Sequence, residues 1–410
     1  MPTITRLPLI TPAQSLALAA TLVLPTVAQG PVIRRPGAVR LAGMADADAR
    51  AVRLLGRLRA RYGDGPLLAR LPGRGLAVLP LAAADVRRVL EDRAFTPANA
   101  EKRGALAHFQ PDGVLITREP GLRERRRELN ERVLCPGAGA FDHVAEEESA
   151  LLPRAGTLTW PQWHAAHGRI ARRVVLGDAA RDDVRLTALL DRLRRDANWS
   201  SLRGHRTDVR DAFRRRLAAH LERAEPGSLA ARLAAARATP EVHAEGQVPH
   251  WLFAFDAAGI AGYRALALLA SFHGDGLPRD GGFPRASVLE SLRLWPTTPA
   301  ILRDVAGPNP WDLPEGTLVV IYAPYVNRAE PGDAYRPELW LGGGDAWAGV
   351  PFSAGFAACP ARELVLSTTS ALLRAFLRER SAVPSLTLED PLPATFDHIR
   401  LRFAVKPVER

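Results

Sequence analysis

Of the two cysteines in this 410-residue chain, Cys359 stands where a thiolate is useful. It ends a glycine-containing loop, Pro351-Phe-Ser-Ala-Gly-Phe-Ala-Ala-Cys-Pro-Ala-Arg362, that runs straight into a segment patterned as a helix, Ala361–Glu379. A sulfur at a helix N-terminus meets free backbone N–H groups and the positive end of the helix dipole. Its thiolate would be a soft metal ligand. Glu290 and Arg293 lie three residues apart in a predicted helix, Ala286–Trp295, so they share a face and can pair. Arg123 and Arg127 are one turn apart in a predicted helix that starts near Pro120 and ends over Asn130–Leu134. Arg303 falls in a predicted strand, Ile301–Val305. Guanidinium groups suit carboxylates because they bind them bidentately.

The elements that position these groups are mostly helical. Apolar residues recur at helical spacing over Asp46–Arg61 and Ala83–Asp92, and long Arg-rich helices are expected over Asp182–Ala197 and Thr207–Arg223. Leu67–Val78, with Gly73 and Gly75, predicts a hairpin. Trp251–Phe272 is apolar nearly all round, the mark of a helix buried through a core. Gly259 and Gly262 within it each cost about 1 kcal/mol relative to Ala, which implies a close approach by a neighbour. Beyond Pro296 the texture changes: short strands at Ile301–Val305 and Thr317–Ala323, a turn-rich meander over 324–351, then the last helix and a hairpin pattern over 381–410.

The cysteine loop resembles the haem-binding loop of the cytochrome P450 family, F-x-x-G-x-R/H-x-C-x-G. Phe352, Gly355 and Cys359 are in register. A chain with 13 Phe, 33 Gly and 2 Cys gives roughly 0.005 chance matches to that spacing. Ala357 departs from the family's basic residue and Ala361 from its final glycine. Glu290-Ser-Leu-Arg293 is similar to the family's E-x-x-R, and Tyr335-Arg336-Pro337-Glu338-Leu339-Trp340 to its F-x-P-E-R-W. Leu339 lacks the charge that would complete the Glu–Arg network, a role left to Arg336 or Asn327. The segment Glu119–Arg127 looks like D-P-P-x-H-x-x-x-R.

The resemblance implies a mainly α fold with a small β-rich part, and haem b held between the long buried helix and the cysteine loop. Cys359 becomes the iron's axial ligand, and Arg123, Arg127 and Arg303 become propionate anchors. Phe352 and Gly355 shape the loop, and Glu290 and Arg293 have a structural role. The oxygen-activating segment A/G-G-x-D/E-T aligns with Ala258-Gly259-Ile260-Ala261-Gly262. Its acid and alcohol are replaced by Ala261 and Gly262, so protons must come from water, the substrate or another group, with Asp256, Tyr263 and Arg264 nearby. By the same resemblance the substrate pocket is lined by Ala94–Pro111, Trp199–Arg203, Phe253, Phe255, Ala257, Ala258, Thr297, Thr298, Ala300, Ile301 and Pro393–Thr395.

A monooxygenase of a hydrophobic small molecule or natural-product intermediate is implied. The alternatives are an atypical haem-thiolate enzyme (peroxide-driven, oxidative coupling, nitrene-type transfer or dehydration) and a non-catalytic haem- or ligand-binding protein. An acidic ferredoxin would dock near Arg125, Arg126 and Arg362.

Composition bounds the rest. Two cysteines exclude a disulfide scaffold, a four-thiolate cluster and a zinc ribbon. The net charge of +11 reflects 55 Lys+Arg against 44 Asp+Glu. Only Lys102 and Lys406 are lysines, and the arginines are mixed with acids, so no nucleic-acid patch is expected. Leu16–Ala28 is apolar but too short to span a bilayer, so no stable membrane insertion is expected. Pro25 should break any helix there. A cytoplasmic monomer is expected, with residues 1–34 an extension of uncertain role and 35–410 one domain.

Overall fold

The computed structural model describes residues 7–113, 115–274, 282–342 and 348–408. Parts of the 1–34 extension, the meander and the C-terminal hairpin pattern lie outside these residues.

The organising element is the helix Val248–His273. It is 26 residues long, with Pro249 in its first turn, where a missing N–H costs nothing. Seventeen of its side chains are buried. Among the described residues it is the one helix long and apolar enough to cross a membrane, and most of it is inside the protein. Helices Trp160–Leu176, Phe283–Leu294 and Arg362–Glu379 pack around it. Its two glycines explain how closely they pack. A Cβ at Gly259 would stand 3.1 Å from the His167 ring, and one at Gly262 would stand 2.6 Å from Thr369 Cγ2 and 3.2 Å from Trp163. Trp163 Nε1 donates to Gly259 O at 2.9 Å, tying the two helices through the gap.

Two sheets flank the helices. One runs in the order Leu67–Leu71, Gly75–Leu79, Leu318–Tyr322, Ala300–Val305, Phe95–Thr96. The 67–71/75–79 pair is the predicted hairpin, antiparallel with Leu67 opposite Leu79. The other sheet has Arg402–Pro407 between Gly156–Thr159 and Arg380–Pro384. Leu318–Tyr322, in the middle of the first sheet, is buried throughout, whereas Arg402–Pro407 in the second buries alternate residues, Phe403 and Val405, as a half-buried strand must. Helices Pro120–Leu134 and Thr207–Arg223 have the predicted bounds, and Ala47–Tyr62, Ala83–Glu91 and Val184–Ala197 shift by a residue or two.

Pro25 does not end its helix. The chain is helical from Pro12 to Gln29, with a π-helical turn over Ala19–Val23 ahead of the proline. A π turn widens the helix where the proline ring would otherwise meet a carbonyl. Leu18 and Leu22 anchor this helix in the core beside the first sheet. The chain then extends over Gly30–Arg34, where Asn198 clamps it: Val32 N and Ile33 N donate to Asn198 Oδ1, and Asn198 Nδ2 donates to Ile33 O.

Candidate functional site

A cavity of about 620 Å³ lies between the central helix and the cysteine loop. That is within the size range of small-molecule and cofactor pockets, about 300–1,000 Å³. Cys359 lines it, as do Phe352, Arg123, Arg127 and Arg303.

The cysteine wall is built by backbone constraints. Cys359 N donates to Phe352 O at 3.0 Å, closing the loop on itself. Burial pushes the Cys359 thiol pKa up, while the backbone N–H groups of Ala361 and Arg362 and the charges of Arg127 and Arg362 pull it down. Burial is the larger effect, and the helix end by itself does not offset it. A bound cation would. Gly355 has φ +62, and a Cβ there would meet Leu90 O at 2.2 Å. The glycine is therefore required by the end of helix Ala83–Glu91. It does not line the cavity, although a close pass under a macrocycle is the role its place in the loop suggests. Ser353 also takes a left-handed φ of 59 and accepts a hydrogen bond from Arg303 Nη2 at 3.1 Å.

The three predicted anchors converge, and all three also hold the loop. Arg123 Nη2 donates to Phe356 O, and Arg127 Nη1 donates to Phe356 O and Ala358 O, each at 3.0 Å. Arg303 is 2% exposed, and its pKa is lowered to about 10 by burial and then by Arg123. Buried Nε atoms of Arg123 and Arg303 have no partner within the protein. Lys102, which the sequence placed in the pocket segment Ala94–Pro111 without a role as an anion partner, stands on the same wall. Its signal was its rarity as one of two lysines. Unsatisfied buried guanidinium groups facing a cavity ask for anions. A porphyrin with two propionates and an iron that takes a soft ligand fits this donor set.

Glu290 and Arg293 lie behind the wall, both fully buried. The pairs Arg293 Nε–Glu290 Oε1 and Nη2–Oε2 are 2.7 and 2.8 Å apart. The missing third charge is replaced by neutral donors. Trp340 Nε1 and Arg336 N donate to Glu290 at 2.7 and 2.8 Å, so Arg336 contributes its backbone and not its side chain. Arg293 Nη1 donates to the carbonyls of Asn327 and Gly332, and Nη2, beside its bond to Glu290, donates to Ala334 O. Asn327 Oδ1 then receives Val350 N at 2.9 Å, which carries the network to the start of the cysteine loop.

The opposite wall departs from expectation. Phe253, Ala257 and Ala258 line the cavity, but Phe255, Gly259, Ala261 and Gly262 do not. The aligned acid and alcohol positions turn away: Gly262 packs on Thr369 and Trp163, and Ala261 O accepts from Ser291 Oγ. A threonine at position 262 has no room. One turn earlier a carboxylate does face the cavity. Asp256 accepts from Arg194 Nη1 and lies 3.7 Å from His164 Nε2, and Arg194 also reaches Asp191 at 2.9 Å. Burial raises the Asp256 pKa, but Arg194 and His164 outweigh it and hold the group at about 2. Asp256 in turn raises the His164 pKa. Tyr263 and Arg264 point elsewhere, donating to Leu401 O and to Trp295 O.

Thr297, Thr298 and Ile301 line the cavity, and Ala300 does not. From Ala94–Pro111, six residues from Pro97 to Gln110 take part, but Trp199–Arg203 and Pro393–Thr395 are absent from the lining. In their place stand Gly30–Arg34, His250, His398 and Ile399. Of the proposed docking arginines, Arg125 and Arg362 are exposed, whereas Arg126 is buried and donates to Val242 O.

No family model and no curated protein matches this chain. Solved structures do. A six-coordinate cytochrome P450 from Thermus thermophilus is 21% identical over 87% of this chain and 98% of that chain, with a TM-score of 0.67. CYP175A1, from another strain of the same species, is 20% identical over 89% and 97%, with a TM-score of 0.65. A mutant of cytochrome P450SP alpha (CYP152B1) is 18% identical over 87% and 97%, also at 0.65. At these identities the likeness concerns architecture. The helices, the two sheets and the loop that presents Cys359 together make the cytochrome P450 fold.

Proposed function

We propose that the protein is a haem-thiolate oxidoreductase that acts on a small, largely apolar molecule, with monooxygenation as its reaction. The observation that carries this reading is Cys359, which opens into a cavity whose adjoining wall holds three arginines and whose far wall is an apolar helix. Haem bound there would supply oxygen activation, its iron made electron-rich by the thiolate.

The chain's own residues do the rest. Arg123, Arg127 and Arg303 would hold carboxylates on the cysteine-side wall. Phe352 shields the sulfur from water. Phe253, Ala257, Thr297 and Ile301 bound the substrate space. His164, which Asp256 keeps more basic than an ordinary histidine, carries and releases protons at the cavity edge, a task normally done by a positioned acid. Ala257, the residue after Asp256, ends at Cβ and leaves space for water or a substrate hydroxyl to complete the path.

Electrons would come from an acidic ferredoxin at the exposed Arg125 and Arg362, with the protein in the cytoplasm. The altered distal helix keeps a peroxide-driven reaction as the second reading. Turnover of a bound ligand with a ferredoxin system and oxygen, set beside turnover with hydrogen peroxide, decides between them. Product only with peroxide would replace the first reading, and product with neither would leave a binding protein.

A further inference from the structure

We infer that Lys102 pairs with Arg303 to bind a carboxylate, and that this carboxylate is one propionate of the porphyrin. The inference rests on the haem reading above and adds a residue to it.

The geometry is specific. Lys102 Nζ donates to Leu302 O at 3.3 Å, and Arg303 Nη1 donates to the same oxygen at 3.0 Å. The two cationic heads are therefore at most about 6 Å apart. One neutral carbonyl stands between two like charges, in a buried setting where such repulsion is poorly screened.

Among the described residues only Glu101 acts against it, and only in part. Glu101 is taken by Asn99 Nδ2 at 2.7 Å and by Arg74 at 2.8 Å. Asp304 is taken by Arg74 and Arg118. Asp191 and Asp256, the carboxylates that line the cavity, are held by Arg194. Arg303 Nε is buried with no partner. Arg123 adds its field from the loop side. Burial and Arg303 pull the Lys102 pKa down to about 7, against Glu101, which raises it. An anion between the two heads would reverse that shift and satisfy both cations at once. Both residues line the cavity that Cys359 lines.

The test uses holoprotein. Haem release to excess apomyoglobin is timed for the wild type, Lys102→Met and Lys102→Arg, each also reconstituted with haem dimethyl ester, whose propionates are blocked. With haem, Lys102→Met should release about ten- to a hundredfold faster, the loss of one hydrogen bond between charged groups. Lys102→Arg should stay near wild type. With the dimethyl ester the Met variant and the wild type should match, which also shows that the variant is folded.

Equal release rates with native haem would overturn the inference while leaving the haem reading intact. Should the wild type bind no haem at all, the haem reading fails first, and the inference with it. If Lys102→Met keeps haem normally but binds dodecanoate more weakly than the wild type does, with dodecanol unaffected, the anion belongs to the substrate and the propionate assignment is wrong.

Discussion

The two walls of the cavity were specified in different ways. The cysteine wall carries its ligand and its turn in one short loop, which distant groups then close on: Leu90 O against Gly355, and Arg123 and Arg127 on the loop's carbonyls. Phe352, Gly355 and Cys359 sit in that loop, and Ser353 holds Arg303. The helix wall depends on what packs behind it. Gly259 and Gly262 are explained by His167, Trp163 and Thr369, which lie about a hundred residues away on either side. A motif can encode the loop, whereas a tertiary contact decides the helix wall. The loop can therefore keep its motif while the facing helix loses an acid and an alcohol, with His164 and Asp256 facing the same space instead.

The contrast between the walls is most exposed to test behind the cysteine wall. Glu290→Ala leaves Arg293 buried without its carboxylate, at a cost of about 3–5 kcal/mol. Chemical denaturation of the holoprotein reads it, and a loss under about 1 kcal/mol would mean that the pair does not lock the meander to the loop. Next comes Gly262→Ala. The added methyl meets Thr369 Cγ2, and overpacking of this kind costs about 1–3 kcal/mol. Thr369→Ser removes that methyl and should recover most of the loss in the double variant. A tolerated Gly262→Ala would show that the distal helix is free to carry a side chain there.

The smallest effect concerns Asp256→Asn. Asp256 raises the pKa of His164, so their attraction stabilises the fold at low pH and is lost as pH rises through the His164 pKa. The variant should be destabilised more at pH values below the ordinary histidine range than above it, and the His164 ring should titrate at lower pH by NMR. An unchanged titration would remove Asp256 from contact with that ring.

Legibility followed the same division. The central helix was readable because its apolar circumference is nearly unbroken, with Asp256 and Arg264 its few charges. The Glu290–Arg293 pair and the cysteine loop were readable because their spacing is their geometry. The replacement for the missing third charge was not readable, since Trp340 and the backbone of Arg336 become donors only after the meander folds back. Ala261 and Gly262 were assigned to the cavity by alignment, but neither lines it, and Gly262 packs on Thr369. Residues Gly30–Arg34 gave no sign of lining the site, because that placement depends on Asn198, 165 residues away from Ile33. Lys102 was expected at the pocket as part of Ala94–Pro111, but beyond its rarity nothing in the sequence marked it as a partner of Arg303.

Sulfur ligation of haem iron by Cys359 underlies every functional step described above. The most direct measurement is the absorption spectrum of the dithionite-reduced holoprotein under carbon monoxide, for the wild type and for Cys359→His. The wild type should show the long-wavelength Soret band of thiolate ligation, and the variant should shift to the shorter-wavelength imidazole type. A wild-type protein that takes up no haem, or a Cys359→His variant whose spectrum is unchanged, would contradict it.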